Sequence, residues 1–379
     1  MDNGIVITGV GAVTPFDNFW ASIKAGNVIP DSKINLTMFD KESTQILKGD
    51  LFRTANYDSK IFVTACGKAL KDAEIDLRKT DRAKVGISAG ACFGGIESYE
   101  SFHQSIRENR QEPASFSNSL GSVPPAITSL LWEITGPCIV ASGEFSVGAM
   151  AIIHGVNLIK EGICEVVLAG GWEKLSTTSV ERYRLKGMLS KSGICRPFDK
   201  ERDGLVLAEG AGVLVIESEQ HALGRGKTPY AFVKGAGMGS SSQQNEIEQA
   251  MKNALSESKM EVVDYISASA NSSVELDREE AMAIKNVCGK DIPVTSIKSM
   301  LGETLGASGV LSVITAVLSM RDNIIPPTIN YSKVDTECNI KIVQSPIFTP
   351  INSVLVNSIG LDAISIILKK HPLLALGEK

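Results

Sequence analysis

The sequence predicts an α/β chain of two similar halves, with helices covering buried sheets, and three observations carry that prediction. Short β-branched runs ending in glycine or a small residue alternate with helical patterns along the chain. The opening run has an echo near residue 231. The 379 residues are 43% hydrophobic and 21% charged, enough for a large core and unlike a disordered or fibrous chain.

The runs are Ile5-Val6-Ile7-Thr8-Gly9, Lys84-Val85-Gly86-Ile87-Ser88, Glu165 to Gly171, and Tyr265-Ile266-Ser267-Ala268. Strands of this kind separated by helical stretches read as a sheet with helices packed on it. Ile61 to Asp76 places Phe62, Ala65, Ala69, Leu70 and Ala73 at helical spacing, and Glu246 to Leu255 repeats the pattern, so both are amphipathic helices. The most apolar long stretch, Ile139 to Ile159, is interrupted by Glu144 and His154. That assigns it to the buried core of a globular protein and not to a membrane span.

The echo compares Ile5-Val6-Ile7-Thr8-Gly9-Val10-Gly11 with Ala231-Phe232-Val233-Lys234-Gly235-Ala236-Gly237. Each reads as a strand entering a Gly-x-Gly turn at the head of half the chain. The polar, helix-ending segment Glu219 to Lys227 puts the seam near residues 218 to 230, giving halves of 1–218 and 219–379. Gly9 and Gly11 lack the third glycine of a dinucleotide fingerprint, so no nucleotide cofactor is expected.

A net charge of −5 with interspersed charges provides no basic stripe, which argues against nucleic acid as a partner. The seven cysteines stand without CxxC spacing. They read as reduced thiols of a cytoplasmic protein with no metal site. The first residues, Met1-Asp2-Asn3-Gly4, carry no basic segment of a secretory signal.

Four segments together resemble the β-ketoacyl synthase family of the thiolase fold: Arg196 to Glu217 (beginning Arg-Pro-Phe-Asp-Lys-Glu-Arg-Asp-Gly), His221 to Gly226, Lys298 to Gly306, and Pro326-Pro327-Thr328-Ile329-Asn330. The matches run in family order from about residue 4 to residue 369. The resemblance implies a duplicated, five-layered αβαβα core and a dimeric working unit. It also implies a catalytic set: a cysteine at the start of a buried helix, whose dipole favours the thiolate, and two histidines that donate hydrogen bonds to the enolate left by decarboxylation.

At the matching positions this sequence has Phe145, within Gly136-Pro137 to Ala149, where the cysteine belongs; Ser269 for the first histidine; and Glu303 for the second. Lys298 is retained. A phenyl ring forms no thioester. An ionised Glu303 beside a developing enolate would raise its energy by several kcal/mol at ~4 Å in an effective dielectric near 20. Phe145 is expected to fill the space of an acyl thioester, Glu303 to pair with Lys298, and Ser269 to satisfy nearby backbone groups. The four histidines, His103, His154, His221 and His371, lie outside these motifs.

A family member without its catalytic residues resembles the chain length factor, the inactive partner of an active ketosynthase in type II polyketide systems. Glu144 fits the Glu-Gln pair common there; Phe145 departs from it. The resemblance implies a heterodimer with a cysteine-bearing ketosynthase, served by an acyl carrier protein. Its interface runs through Ile139, Val140, Ser142 and Glu144, and Phe116 and Leu120 belong to a gate that closes the partner's acyl tunnel. Leu361 and Asp362 replace residues of the family's C-terminal glycine-rich turn. Two alternatives stand beside this reading. One is an acyltransferase on the same fold using an off-motif thiol such as Cys138 or Cys195. The other is a homodimeric scaffold or binding protein.

Overall fold

The computed structural model describes residues 4–34, 55–110, 112–240 and 245–376. Ten principal strands form its sheet framework: β1 (Ile5–Val13), β2 (Val85–Ala91), β3 (Cys138–Ser142), β4 (Val166–Glu173), β5 (Gly210–Ser218), β6 (Ala231–Ser240), β7 (Tyr265–Ser267), β8 (Pro293–Thr295), β9 (Ser353–Ile359) and β10 (Asp362–Lys370). β1 and β6 meet antiparallel through Val6–Phe232 and Ile7–Ala231. Outward from that join the first half runs β1-β5-β4-β2-β3 and the second β6-β10-β9-β7-β8. Both follow the same order of first, fifth, fourth, second and third strand, which is the duplication the echo suggested.

Five helices set the layers: α1 (Tyr57–Ala73), α2 (Val147–Lys160), α3 (Glu246–Ser258), α4 (Val274–Cys288) and α5 (Ser308–Asp322). α1 covers β1 and β5, while α3, backed by α4, covers β6 and β10; α2 and α5 touch each other and pack between the two halves of the sheet, α2 against β2 and β4 and α5 against β5 and β9. The result is the αβαβα sandwich of the thiolase fold. α5 is buried at every residue from Ser308 to Met320, as a helix apolar all round must be. The stretch Leu305–Asp322 is long and apolar enough to cross a membrane, but 89% of it is buried inside the fold.

The Gly-x-Gly motifs are not turns, as the sequence reading had them, but lie inside β1 and β6, and the echo has a packing cause. A Cβ on Gly11 would lie 2.1 Å from the Ala65 carbonyl oxygen of α1, and one on Gly237 2.0 Å from that of Ala250 on α3. Glycine at both places lets strand and covering helix approach closely.

Two boundaries differ from the sequence reading. α1 begins four residues earlier than expected because Asn56 caps it, its side chain accepting the Ser59 N–H at 2.9 Å. It ends at Ala73, where Glu74 turns left-handed (φ 57°). The stretch Ile139 to Ile159 is not one buried element. It divides at Ser142-Gly143-Glu144 into the partly exposed edge strand β3 and the buried helix α2, since a charged side chain has no place in the layer that α2 occupies.

Candidate functional site

Phe145 and Ser146 stand at the start of α2, in the middle layer. The Phe145 side chain is buried with Tyr183, Leu205, Leu207 and Leu305, its ring 5.8 Å from that of Tyr183 and tilted by 32°. A ring so enclosed contributes about 2–3 kcal/mol of apolar burial. The turn after β9 closes over it. A Cβ on Gly360 would sit 2.8 Å from the backbone nitrogens of Phe145 and Ser146, so only glycine fits there.

Beside this plug lies a buried ion pair. Lys298 Nζ is 2.7 Å from Glu303 Oε2, and it also donates to the Ser269 carbonyl at 2.7 Å and to Ser269 Oγ at 3.3 Å. Glu303 Oε2 accepts Asn271 Nδ2 at 2.9 Å, and Oε1 accepts the Leu305 N–H at 2.9 Å and the Ser308 hydroxyl. Every lone-pair direction that matters is taken, which is what lets a carboxylate survive with no exposure. Ser269 Oγ accepts the Ile359 N–H at 3.0 Å. The contacts of Phe145, Glu303 and Ser269 are thus apolar packing, an ion pair and a backbone hydrogen bond, the kinds the sequence suggested for them.

Sequence reading missed three acids that frame the site. Glu280 accepts the Ser269 N–H at 2.8 Å and Asn357 Nδ2 at 2.9 Å on one oxygen, while its other oxygen is buried without a partner. Burial pushes its carboxyl up to about 7. Asp277, pushed up to about 6 by burial, accepts the N–H groups of Phe198, Asn271 and Ser272. Glu173, at the end of β4, accepts those of Cys92, Phe93 and Gly306, and burial takes it to about 8. The signal was available for two of them: Asp277 and Glu280 sit three apart on one helix, just after the Ser269 segment.

The histidines lie elsewhere. His103 stacks on Tyr99, His154 is on α2, His221 bonds Glu217 at 2.6 Å, and His371 bonds Glu219 at 3.1 Å. Among the described residues no group of three or more His, Cys, Asp and Glu is arranged to hold a metal ion.

Comparison with known proteins decides the family. The profile described as "Beta-ketoacyl synthase, N-terminal domain" matches residues 32–222, and "Beta-ketoacyl synthase, C-terminal domain" matches residues 230–332. The chain belongs to the β-ketoacyl synthase family. It is similar to 3-oxoacyl-[acyl-carrier-protein] synthase 2 of Vibrio cholerae, 30% identical over 89% of this chain and 91% of the relative. It is also similar to Nodulation protein E of Rhizobium leguminosarum bv. trifolii, 29% identical over 91% and 93%. Among solved structures, the ishigamide ketosynthase/chain length factor superposes with a TM-score of 0.90 at 22% identity over 97% of this chain and 99% of that one. A β-ketoacyl synthase from Burkholderia phymatum gives 0.87 at 25% identity over 97% and 99%.

In this chain the thiols of Cys195 and Cys138 are poorly suited to carry an acyl group. Cys195 is buried, with Sγ 3.6 Å from the Asn271 carbonyl, and burial holds it well above the usual thiol range. Cys138, exposed at the start of β3, is also raised by partial burial. A nucleophilic thiol needs the opposite shift. Ile139 and Val140 lie half-buried, and Ser142 exposed, on β3, the outermost strand on its side of the framework. Glu144 follows, its Oε1 accepting Arg182 Nη2 at 3.0 Å. Phe116 and Leu120 are each about half exposed, at 51% and 50%, with the Phe116 ring 5.1 Å from that of Phe102. Leu361 is exposed and Asp362 half-buried at the head of β10.

Proposed function

We propose that this chain is a non-catalytic subunit of the ketosynthase type, a chain length factor that pairs with an active ketosynthase and helps set the length of the acyl chain built there. The observation that carries the reading is the phenyl ring of Phe145, packed at the start of α2 where this family places its nucleophile, with a Lys298–Glu303 ion pair in place of an imidazole. The one thiol packed against that cluster, Cys92, is held well above the usual thiol range by burial, and no histidine joins the constellation among the described residues, so it has no group suited to hold a thioester or to protonate an enolate.

The partner classes are those named for two neighbours in fold: the ketosynthase/chain length factor already cited, and a type II polyketide synthase acyl-carrier protein in complex with its ketosynthase. The edge of β3 supports pairing. Its five residues, Cys138-Ile139-Val140-Ala141-Ser142, bring neither charge nor proline to an open sheet edge, and such an edge calls for a covering strand. At the other end of the framework the edge is the two-residue strand Lys341–Ile342, too short to invite one. In this reading the halves 1–218 and 219–379 are the repeat units, Ile139, Val140, Ser142 and Glu144 lie at the subunit interface, and exposed Phe116 and Leu120 reach into the partner's tunnel as its gate. The heterodimer works in the cytoplasm.

The test is co-expression with a ketosynthase-family paralogue that carries the cysteine and both histidines. Co-purification as a one-to-one complex, with condensation lost when the paralogue's cysteine is replaced, is expected. A stable homodimer indifferent to the paralogue would favour the scaffold reading.

A further inference from the structure

Between Phe145 and solvent stands a second barrier that loss of the nucleophile does not require. Tyr183 is buried against Phe145, and the ring of Phe93 meets Tyr183 edge-on at 6.1 Å. Over Phe93 lies the guanidinium of Arg182, 5.6 Å from the ring centroid. Arg182 in turn bonds Glu144, the residue immediately before the plug, at 3.0 Å. The backbone N–H of Phe93 is fixed by the buried Glu173 at 3.1 Å. The contacts run in sequence from Glu144–Arg182 through Phe93 and Tyr183 to Phe145. The ion pair is part-exposed, at 30% and 45% of the side chains, whereas Tyr183 and Phe145 are buried.

We infer that Glu144 and Arg182 form a clasp that, with Phe93, closes the approach to Phe145 beside the proposed subunit interface, so that an acyl chain is refused before it reaches the position of the missing nucleophile. The clasp joins two elements that move independently in sequence: the turn between β3 and α2, and the helix Thr177–Leu185. It assigns a role to Glu144, whose part-exposed carboxylate is held by Arg182 rather than left to solvent. The inference rests on the reading of the pocket as non-catalytic.

The test places a reporter thiol at the plug. In a Cys138→Ser background, Phe145→Cys is compared with Phe145→Cys/Arg182→Ala and Phe145→Cys/Glu144→Ala. The rate of iodoacetamide labelling at residue 145 is read by peptide mass on the folded full-length chain. Labelling in the single variant is expected to be slow, about tenfold faster when Arg182 is lost, and faster by a smaller factor when Glu144 is lost, since the Arg182–Phe93 contact then remains. Tenfold corresponds to about 1.4 kcal/mol, the combined worth of one exposed ion pair and one cation–π contact. The two clasp variants control for charge: losing Arg182 disfavours the thiolate and losing Glu144 favours it, so acceleration in both reports opening. Unchanged rates, opposite changes in the two, or a single variant that labels as fast as Cys138 in the unmodified chain would each overturn the clasp. Labelling needs neither partner nor carrier, so a failed co-purification leaves this result standing, and rapid labelling leaves the loss of the catalytic residues standing.

Discussion

Replacing Lys298 with methionine strands Glu303. The carboxylate is wholly buried and Lys298 is 3% exposed, so no water replaces the lost ammonium 2.7 Å away. Asn271, Ser308 and the Leu305 N–H still hold the carboxylate, but nothing neutralises it. Breaking a buried pair from one side costs about 3–5 kcal/mol. Glu303→Leu is expected to cost a similar amount, since it leaves Lys298 without its counter-charge and strips acceptors from Asn271 and Leu305. The double variant removes both charges at once and is expected to lose about 2–3 kcal/mol less than the sum of the singles, the upper range for groups in direct contact. Guanidinium denaturation followed by the fluorescence of the fully buried Trp172 measures all three. Single losses below about 1 kcal/mol, or additivity within about 0.5 kcal/mol, would show that the two buried charges do not depend on each other.

Stability should also fall as pH rises. Glu173 is raised from 4.5 to about 8 in the folded chain, so the folded state binds the proton more tightly; the resulting stability is full below about 4.5 and is lost as pH climbs through about 8. Glu280 (about 7) and Asp277 (about 6) act in the same direction over a lower range. Denaturant midpoints between pH 5 and 8 should therefore decline, and Glu173→Gln should flatten the segment between about 7 and 8; an unaltered slope in that variant would contradict the assignment. Val140→Lys puts a charge on the edge of β3 and is expected to abolish the one-to-one complex in size-exclusion chromatography without lowering the melting temperature of the isolated chain, whereas an intact complex would remove β3 from the interface. For the gate, Leu120→Ala is expected to lengthen and Leu120→Trp to shorten the products of the reconstituted pair, read by mass spectrometry; unchanged lengths in both would take Leu120 out of the tunnel.

Much of the fold was legible because it rests on short-range pattern. β-branched runs give β1, β2, β4 and β7, helical spacing gives α1 and α3, and the repeated Gly-x-Gly reports two strands pressed against their helices. Boundaries set by single side chains were less legible: the Asn56 cap and the left-handed Glu74 shift α1 by several residues without altering its apolar face. At the site, Phe145, Ser269 and Glu303 could be singled out because the flanking motifs fix the count along the chain. Glu173 was not, because its role comes from distance in sequence: it gathers N–H groups from residues 92, 93 and 306, which no local pattern brings together. Tyr183 and Arg182 were hidden for the same reason, since their partners Phe145, Phe93 and Glu144 lie tens of residues upstream.

The most direct measurement is turnover by the isolated chain. Incubated with malonyl- and acyl-loaded carrier protein and no partner, it is predicted to release no carbon dioxide above the uncatalysed rate and to gain no acyl mass. With the cysteine-bearing paralogue added, condensation should begin, with the acyl adduct on the paralogue alone. Decarboxylation by the chain unaided, or a stable adduct on any of its own residues, would contradict the reading of Phe145 and Glu303 as the end of catalysis in this pocket.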